Sequence, residues 1–157
     1  GRLLEDHLRR IIRADGWALM DIRINGYQPF KEEYGFVAAD DVLRFTAMLL
    51  NEIVDELGTP DDFIGHAGGD NFIIIIEAEN SATIRGRIKA RFSEEILTHY
   101  NFIDREQGYI SITNASGEEE HIPLMSVGVG LVSPAEHQFA DIREITELAA
   151  EARRAEG

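Results

Sequence analysis

The chain has 157 residues, 44% hydrophobic and 28% charged, and carries a net charge of −14 from 29 acidic and 15 basic side chains. That size suits one domain with a sizeable core; that charge repels polymeric nucleic acid and anionic lipid, yet leaves room for a mononucleotide held by a local pocket of donors or a metal ion. No apolar run approaches the roughly 20 residues of a membrane span, no signal-peptide pattern opens the chain, and the lack of cysteine excludes disulfides and thiolate metal sites.

Leu4, Leu8, Ile11 and Ile12 recur at helical spacing and predict a short opening helix, which Asp15-Gly16 breaks. Residues 17–24 read as a strand, with Ala18, Met20, Ile22 and Ile24 on one face and Trp17, Leu19, Asp21 and Arg23 on the other. Residues 26–35 are turn-rich and contain Pro29. A long helix is predicted over about 37–57, with an apolar stripe of Leu43, Ala47, Leu50, Val54 and Leu57 and Gly58 as its C-terminal cap.

Thr59-Pro60-Asp61 is a turn. Residues 63–67 and 72–76 predict two strands joined by a tight hairpin at Gly68, Gly69, Asp70 and Asn71. Asn80-Ser81 suits a helix start, and Ile84, Ile88, Phe92, Ile96 and Tyr100 then repeat every four residues as a buried face. Residues 109–113 and 122–132 predict a second pair of strands around 114–120, and a final helix begins near Asp141. The order β-α-β-β-α-β-β-α predicts an antiparallel or mixed sheet covered by helices.

The hairpin carries the chemistry. Two adjacent glycines permit positive φ and close approach of a ligand to the backbone, and the Asp70 carboxylate can bind a metal or accept a proton. Read alone, Asp70 is as well explained as a turn former. Its surroundings give it meaning. Gly68-Gly69-Asp70-Asn71-Phe72, preceded by residues 63–67, resembles the signature of the GGDEF (diguanylate cyclase-type) family. Residues 29–36, followed by Asp40, Val42 and Leu43, resemble the stretch before the family's long helix, and Ser126-Val127-Gly128-Val129 resembles its Ser-Ile-Gly strand.

This resemblance implies an α/β (α+β) fold like the nucleotide-cyclase palm: a central, mostly antiparallel sheet of about five strands wrapped by helices. It also implies condensation of two GTP molecules to cyclic-di-GMP, one per subunit of a dimer, with Mg²⁺ or Mn²⁺ neutralising phosphate charge and activating the attacking hydroxyl. In the family one metal carboxylate ends the first strand and the other is the third hairpin residue. Here that third residue is kept as Asp70, but the strand carboxylate aligns with Arg23 and the next strand acid with Asn25. Asn71 stands where the motif has Glu. The guanine-reading position falls at Lys31, and its acidic companion is retained as Asp40. Gly68 and Gly69 complete the nucleotide-binding set. The lysine that touches phosphate in the family would lie at or beyond Gly157.

Asp21 is the one candidate to replace the lost ligand. It shares a strand face with Arg23, roughly 6.5 to 7 Å away, so it reaches a metal on Asp70 only after a two-residue register shift. The inhibitory Arg-x-x-Asp box aligns with Thr59 and Asp62, and without its arginine it is not retained. The five histidines include no helical i, i+4 pair, which argues against zinc. His66 is expected to be a strand histidine with its ring nitrogen satisfied, Ser126 to lie in the sheet core, residues 118–120 to form a solvated loop, and Trp17 to pack under the opening helix.

The expectation is therefore a single GGDEF-like domain over residues 1–157, cytoplasmic and cut from a longer bacterial protein with fused sensor or output domains. Its role would be regulatory or GTP-binding, with little or no cyclase activity. Two alternatives stand beside it: an active but atypical diguanylate cyclase completed by Asp21, and a ligand-free dimerisation module.

Overall fold

In the computed structural model, which describes residues 2–156, strand β1 (Trp17–Asn25) is the centre of the sheet. It pairs antiparallel with β3 (Asn71–Glu77) on one side and β6 (Ser126–Val132) on the other. Strand β2 (Phe63–Gly68) pairs antiparallel with the outer edge of β3, which gives the order β2-β3-β1-β6. The alternation read along β1 sorts its side chains as expected. Ala18, Met20, Ile22 and Ile24 join Phe72, Ile74, Val127 and Val129 in one core layer, with α3 (Phe36–Leu57) and α4 (Ser81–Glu95). Trp17 and Leu19 join Ile73, Ile75 and Val132 on the other face, beneath α1 (Arg2–Ile11) and α6 (Ile142–Glu156). Each large side chain so buried contributes about 1.5–3 kcal/mol of transfer free energy.

Three sequence readings about the elements need correction. The central sheet holds four strands, because the chain between α4 and α6 divides differently from the expected second pair. Strands β4 (Tyr109–Thr113) and β5 (Glu119–Pro123) form a separate two-stranded sheet, and β6 joins β1. The segment around Pro29 is a helix, α2 (Tyr27–Tyr34), not a run of turns. Pro29 sits in its first turn, where an N–H has no intrahelical partner to lose. Gly26 and Gly35 bound the helix at φ 80° and 91°, a left-handed region that favours glycine.

The apolar stripe of α3 is also rotated. Ala39, Val42, Thr46, Leu49, Leu50, Ile53 and Val54 are buried, while Leu43, Ala47 and Leu57 pack at the margin. The helix is wedged between the sheet and α4, which widens its buried arc, and the buried Thr46 hydroxyl is satisfied by donating to the Val42 carbonyl at 2.8 Å. The four-residue repeat of α4 fares as read: Ile84, Ile88, Phe92, Ile96 and Tyr100 are all buried. A short helix α5 (Phe102–Gln107), capped by the Asn101 side chain, follows.

Candidate functional site

The hairpin between β2 and β3 closes on a two-residue loop. Gly68 pairs with Asn71, leaving Gly69 and Asp70 as the loop, with an irregularity in register between His66 and Gly68. Gly68 and Gly69 have φ of 119° and 53°. Glycine at the first loop position is what a tight hairpin with positive φ there requires. A Cβ at either glycine would meet no heavy atom within 4 Å, so space is open above both. His66 lies beside the turn, its Nε2–H donating to the Gly69 carbonyl at 2.6 Å and its ring stacked on Phe72 at 4.6 Å. The ring nitrogen is satisfied within the hairpin.

The end of β1 runs alongside. Arg23 is opposite Asn71, and the Ile24 amide donates to the Asp70 carbonyl at 3.1 Å. This brings the Arg23 Nε to 3.7 Å from Asp70 Oδ1, with the two side chains 44% and 27% exposed. Asn25, at the second strand position where the family carries an acid, pairs with Ser126 and donates its amide to the Ser126 hydroxyl at 3.3 Å. Ser126 is exposed and begins the edge strand; it does not lie in the core as the sequence reading placed it.

Asp21, two residues before Arg23, is 4% exposed. Its Oδ1 accepts from Arg153 Nε at 2.7 Å and from Asn71 Nδ2 at 2.8 Å. Asn71 Nδ2 also donates to the Ile22 carbonyl at 2.9 Å. The carboxylate read as a substitute metal ligand is thus committed to an ion pair and an amide. Sequence reasoning missed Arg153. The local signals were an acid among the apolar residues of the first strand, which needs a partner if buried, and Ile145, Ala149 and Arg153 at four-residue intervals on the buried face of α6.

The other expected ligand contacts lie on α2 and α3. Lys31 is exposed on α2, and Asp40 is exposed on α3, where Arg44 pairs with it at 3.2 Å and with Asp41 at 3.5 Å. Partial burial, then the nearby Asp40 and Asp70 carboxylates, raise the Tyr27 hydroxyl above its ordinary pKa. Tyr27 is half-buried. It opens α2 at a terminus where Gly26 offers no side-chain cap, so the first backbone amides of the helix have no cap from that residue.

Thr59 and Asp62 lie elsewhere and turn on each other: the Thr59 amide and hydroxyl donate to the Asp62 carboxylate at 2.8 and 3.0 Å. They line a cavity of about 450 Å³ with Asp15, Asp61, Glu77 and Glu79, an acidic lining that disfavours phosphate. Among the described residues no group of three or more His, Asp or Glu side chains converges as a metal site, and no helix is long and apolar enough to cross a membrane. The family's phosphate lysine, expected at or beyond Gly157, lies outside the described residues.

Residues 2–157 match the family profile described as diguanylate cyclase, GGDEF domain. The chain belongs to the GGDEF family. A curated diguanylate cyclase from Vibrio cholerae serotype O1 is 26% identical over 126 residues, which are 78% of this chain and 32% of that protein. The chain thus spans about a third of that relative's length. Among solved structures, the GGDEF domain of TpbB (YfiN) from Pseudomonas aeruginosa superimposes with a TM-score of 0.65 at 20% identity, covering 99% of this chain and 80% of that one. The active GGEEF domain of a Vibrio cholerae diguanylate cyclase gives 0.64 at 22%, covering 98% and 85%. The GGDEF domain of DgcB from Caulobacter crescentus, solved with c-di-GMP, gives 0.62 at 19%, covering 98% and 80%. The fold is that of these domains, a mixed α+β palm with an antiparallel sheet.

Proposed function

We propose that this domain is a regulatory GGDEF domain that binds a guanine nucleotide without cyclising it, and that Arg23 replaces the divalent cation as the counter-charge to phosphate. The observation that carries this reading is the Arg23–Asp70 pair, 3.7 Å apart where the strand end meets the hairpin. A divalent ion needs several oxygen ligands in fixed geometry. Here one carboxylate, Asp70, faces a guanidinium, and the next nearest strand carboxylate, Asp21, is bound to Arg153 and Asn71. The donor set does not fit Mg²⁺ or Mn²⁺.

What remains suits binding. The guanidinium offers a planar fork of donors to a phosphate oxygen, the glycine turn lets a ligand approach the backbone, and the start of α2 presents amides toward an anion. Lys31 and Asp40, both exposed, occupy the positions to which the family resemblance assigns the guanine contacts. A domain of this kind acts through a second copy of itself or through domains fused to it, and the greater length of the curated relative supports the second route.

The test is to incubate the full-length protein with GTP and Mg²⁺ or Mn²⁺, to separate products chromatographically, and to titrate GTP in EDTA. The expected result is no cyclic-di-GMP and GTP binding that survives chelation. Product formation that depends on Asp70, or binding abolished by EDTA yet unchanged in Arg23→Ala, overturns the reading.

A further inference from the structure

Asp21 and Arg153 are the buried charged residues among those described, and their pairing depends on a missing side chain. Gly130 faces Asp21 across the β1–β6 ladder. A Cβ at Gly130 would lie 2.1 Å from the Ala149 carbonyl oxygen and 2.3 Å from the Arg153 nitrogen. The backbone of α6 therefore rests directly on β6, and from there the Arg153 side chain reaches over to β1. The ion pair is closed to solvent, with side chains 9% and 6% exposed.

The pair extends into the signature motif. Asp21 Oδ1 takes a second hydrogen bond from Asn71, the residue that follows Asp70, and the same amide nitrogen also donates to the Ile22 carbonyl. An amide nitrogen has two hydrogens to give, and both are used. A glutamate at position 71 would offer only acceptors to an acceptor. The three residues form one unit: Arg153 neutralises Asp21, Asp21 orients Asn71, and Asn71 anchors the chain at the exit of the Gly69-Asp70 loop.

We propose that Arg153 is a positioning residue for the signature hairpin, so that the seating of helix α6 on the sheet sets the geometry of the nucleotide cleft. The consequence for ligand affinity rests on the nucleotide-binding reading above; the consequence for hairpin order does not.

The experiment compares the full-length protein with Arg153→Met and with the double variant Asp21→Leu/Arg153→Met. Hydrogen exchange is read at residues 69–71 and at the Ile24 amide that donates to Asp70, beside thermal melts and GTP titrations in EDTA. Arg153→Met should lower Tm, speed exchange in the hairpin more than elsewhere in β1 and β6, and weaken GTP binding on the order of 10-fold, as coupled neighbours do. The double variant removes both charges. It should recover most of the Tm while hairpin exchange stays fast and affinity stays low, because Asn71 has lost the Asp21 carboxylate and keeps only the Ile22 carbonyl. Should Arg153→Met fail to fold, the double variant decides alone. Hairpin protection restored in the double variant, or unchanged in the single one, overturns the proposal. Absence of GTP binding by the unaltered protein would sink the nucleotide-binding reading and leave the exchange result to decide this one.

Discussion

The Arg23 guanidinium stands 3.7 Å from the Asp70 carboxylate, joining the end of the first strand to the tip of the signature hairpin. Both groups are partly open to water, so the pair contributes only about 0 to 1 kcal/mol to stability. Arg23→Ala should therefore leave the melting temperature nearly unchanged while sharply weakening GTP binding measured in EDTA. Parallel thermal melts and calorimetric titrations check this: a large loss of Tm, or undiminished affinity, goes against it.

The hairpin backbone makes a second demand. Gly68 and Gly69 both hold positive φ, and the space around each Cβ position is open. Valine at either position should destabilise through the backbone and not through a clash, by roughly 1–2 kcal/mol, the cost of left-handed geometry for an L-residue. Urea unfolding midpoints would show it. A valine variant as stable as the parent would mean that the turn relaxes into another conformation.

The buried pair should respond far more strongly than the exposed one. Asp21→Ala leaves the Arg153 guanidinium without its partner in a site where the two side chains are 6% and 9% exposed. Such a loss costs about 3–5 kcal/mol, whereas replacing both members by apolar residues of similar volume is close to neutral. Denaturant unfolding of Asp21→Ala beside Asp21→Leu/Arg153→Met should reproduce that asymmetry. Equal losses in the two would place the energy in packing.

How much of this was legible beforehand depended on the range of the contact. The face alternation of β1 and the four-residue repeat of α4 are local patterns, and both were readable. The placement of Arg23 beside the hairpin followed from the chain's resemblance to a known motif. Arg153 escaped because it meets Asp21 across 132 positions of sequence, a distance over which periodicity carries no information. Helix α2 is hidden because Gly26, Pro29 and Gly35 read as a turn-rich segment, although Pro29 in a first turn costs the helix no hydrogen bond. The phase of α3 was misjudged because α4 packs on it as well as the sheet.

A fourth prediction concerns acid. Partial burial holds His99 below its ordinary pKa of 6.5, and Asp41 opposes that shift without cancelling it. The ring packs against Phe45 at 4.9 Å. As pH falls through the ordinary value, the unfolded chain takes up the proton first. The stability gained from the neutral ring is therefore present above that pH and lost as pH drops toward the folded value. His99→Gln should flatten the fall in Tm between about pH 7 and pH 5. A residual slope is expected from His7, also lowered by burial. A variant with the parent's full slope would clear His99 of the effect.

The Asp21–Asn71–Arg153 unit also limits which substitutions the site accepts one at a time. A glutamate at position 71 sets a second carboxylate against Asp21. Removing Asp21 first strands a buried guanidinium, and removing Arg153 first strands a buried carboxylate. Each single change strands one buried group, so the three residues are exchangeable only as a set.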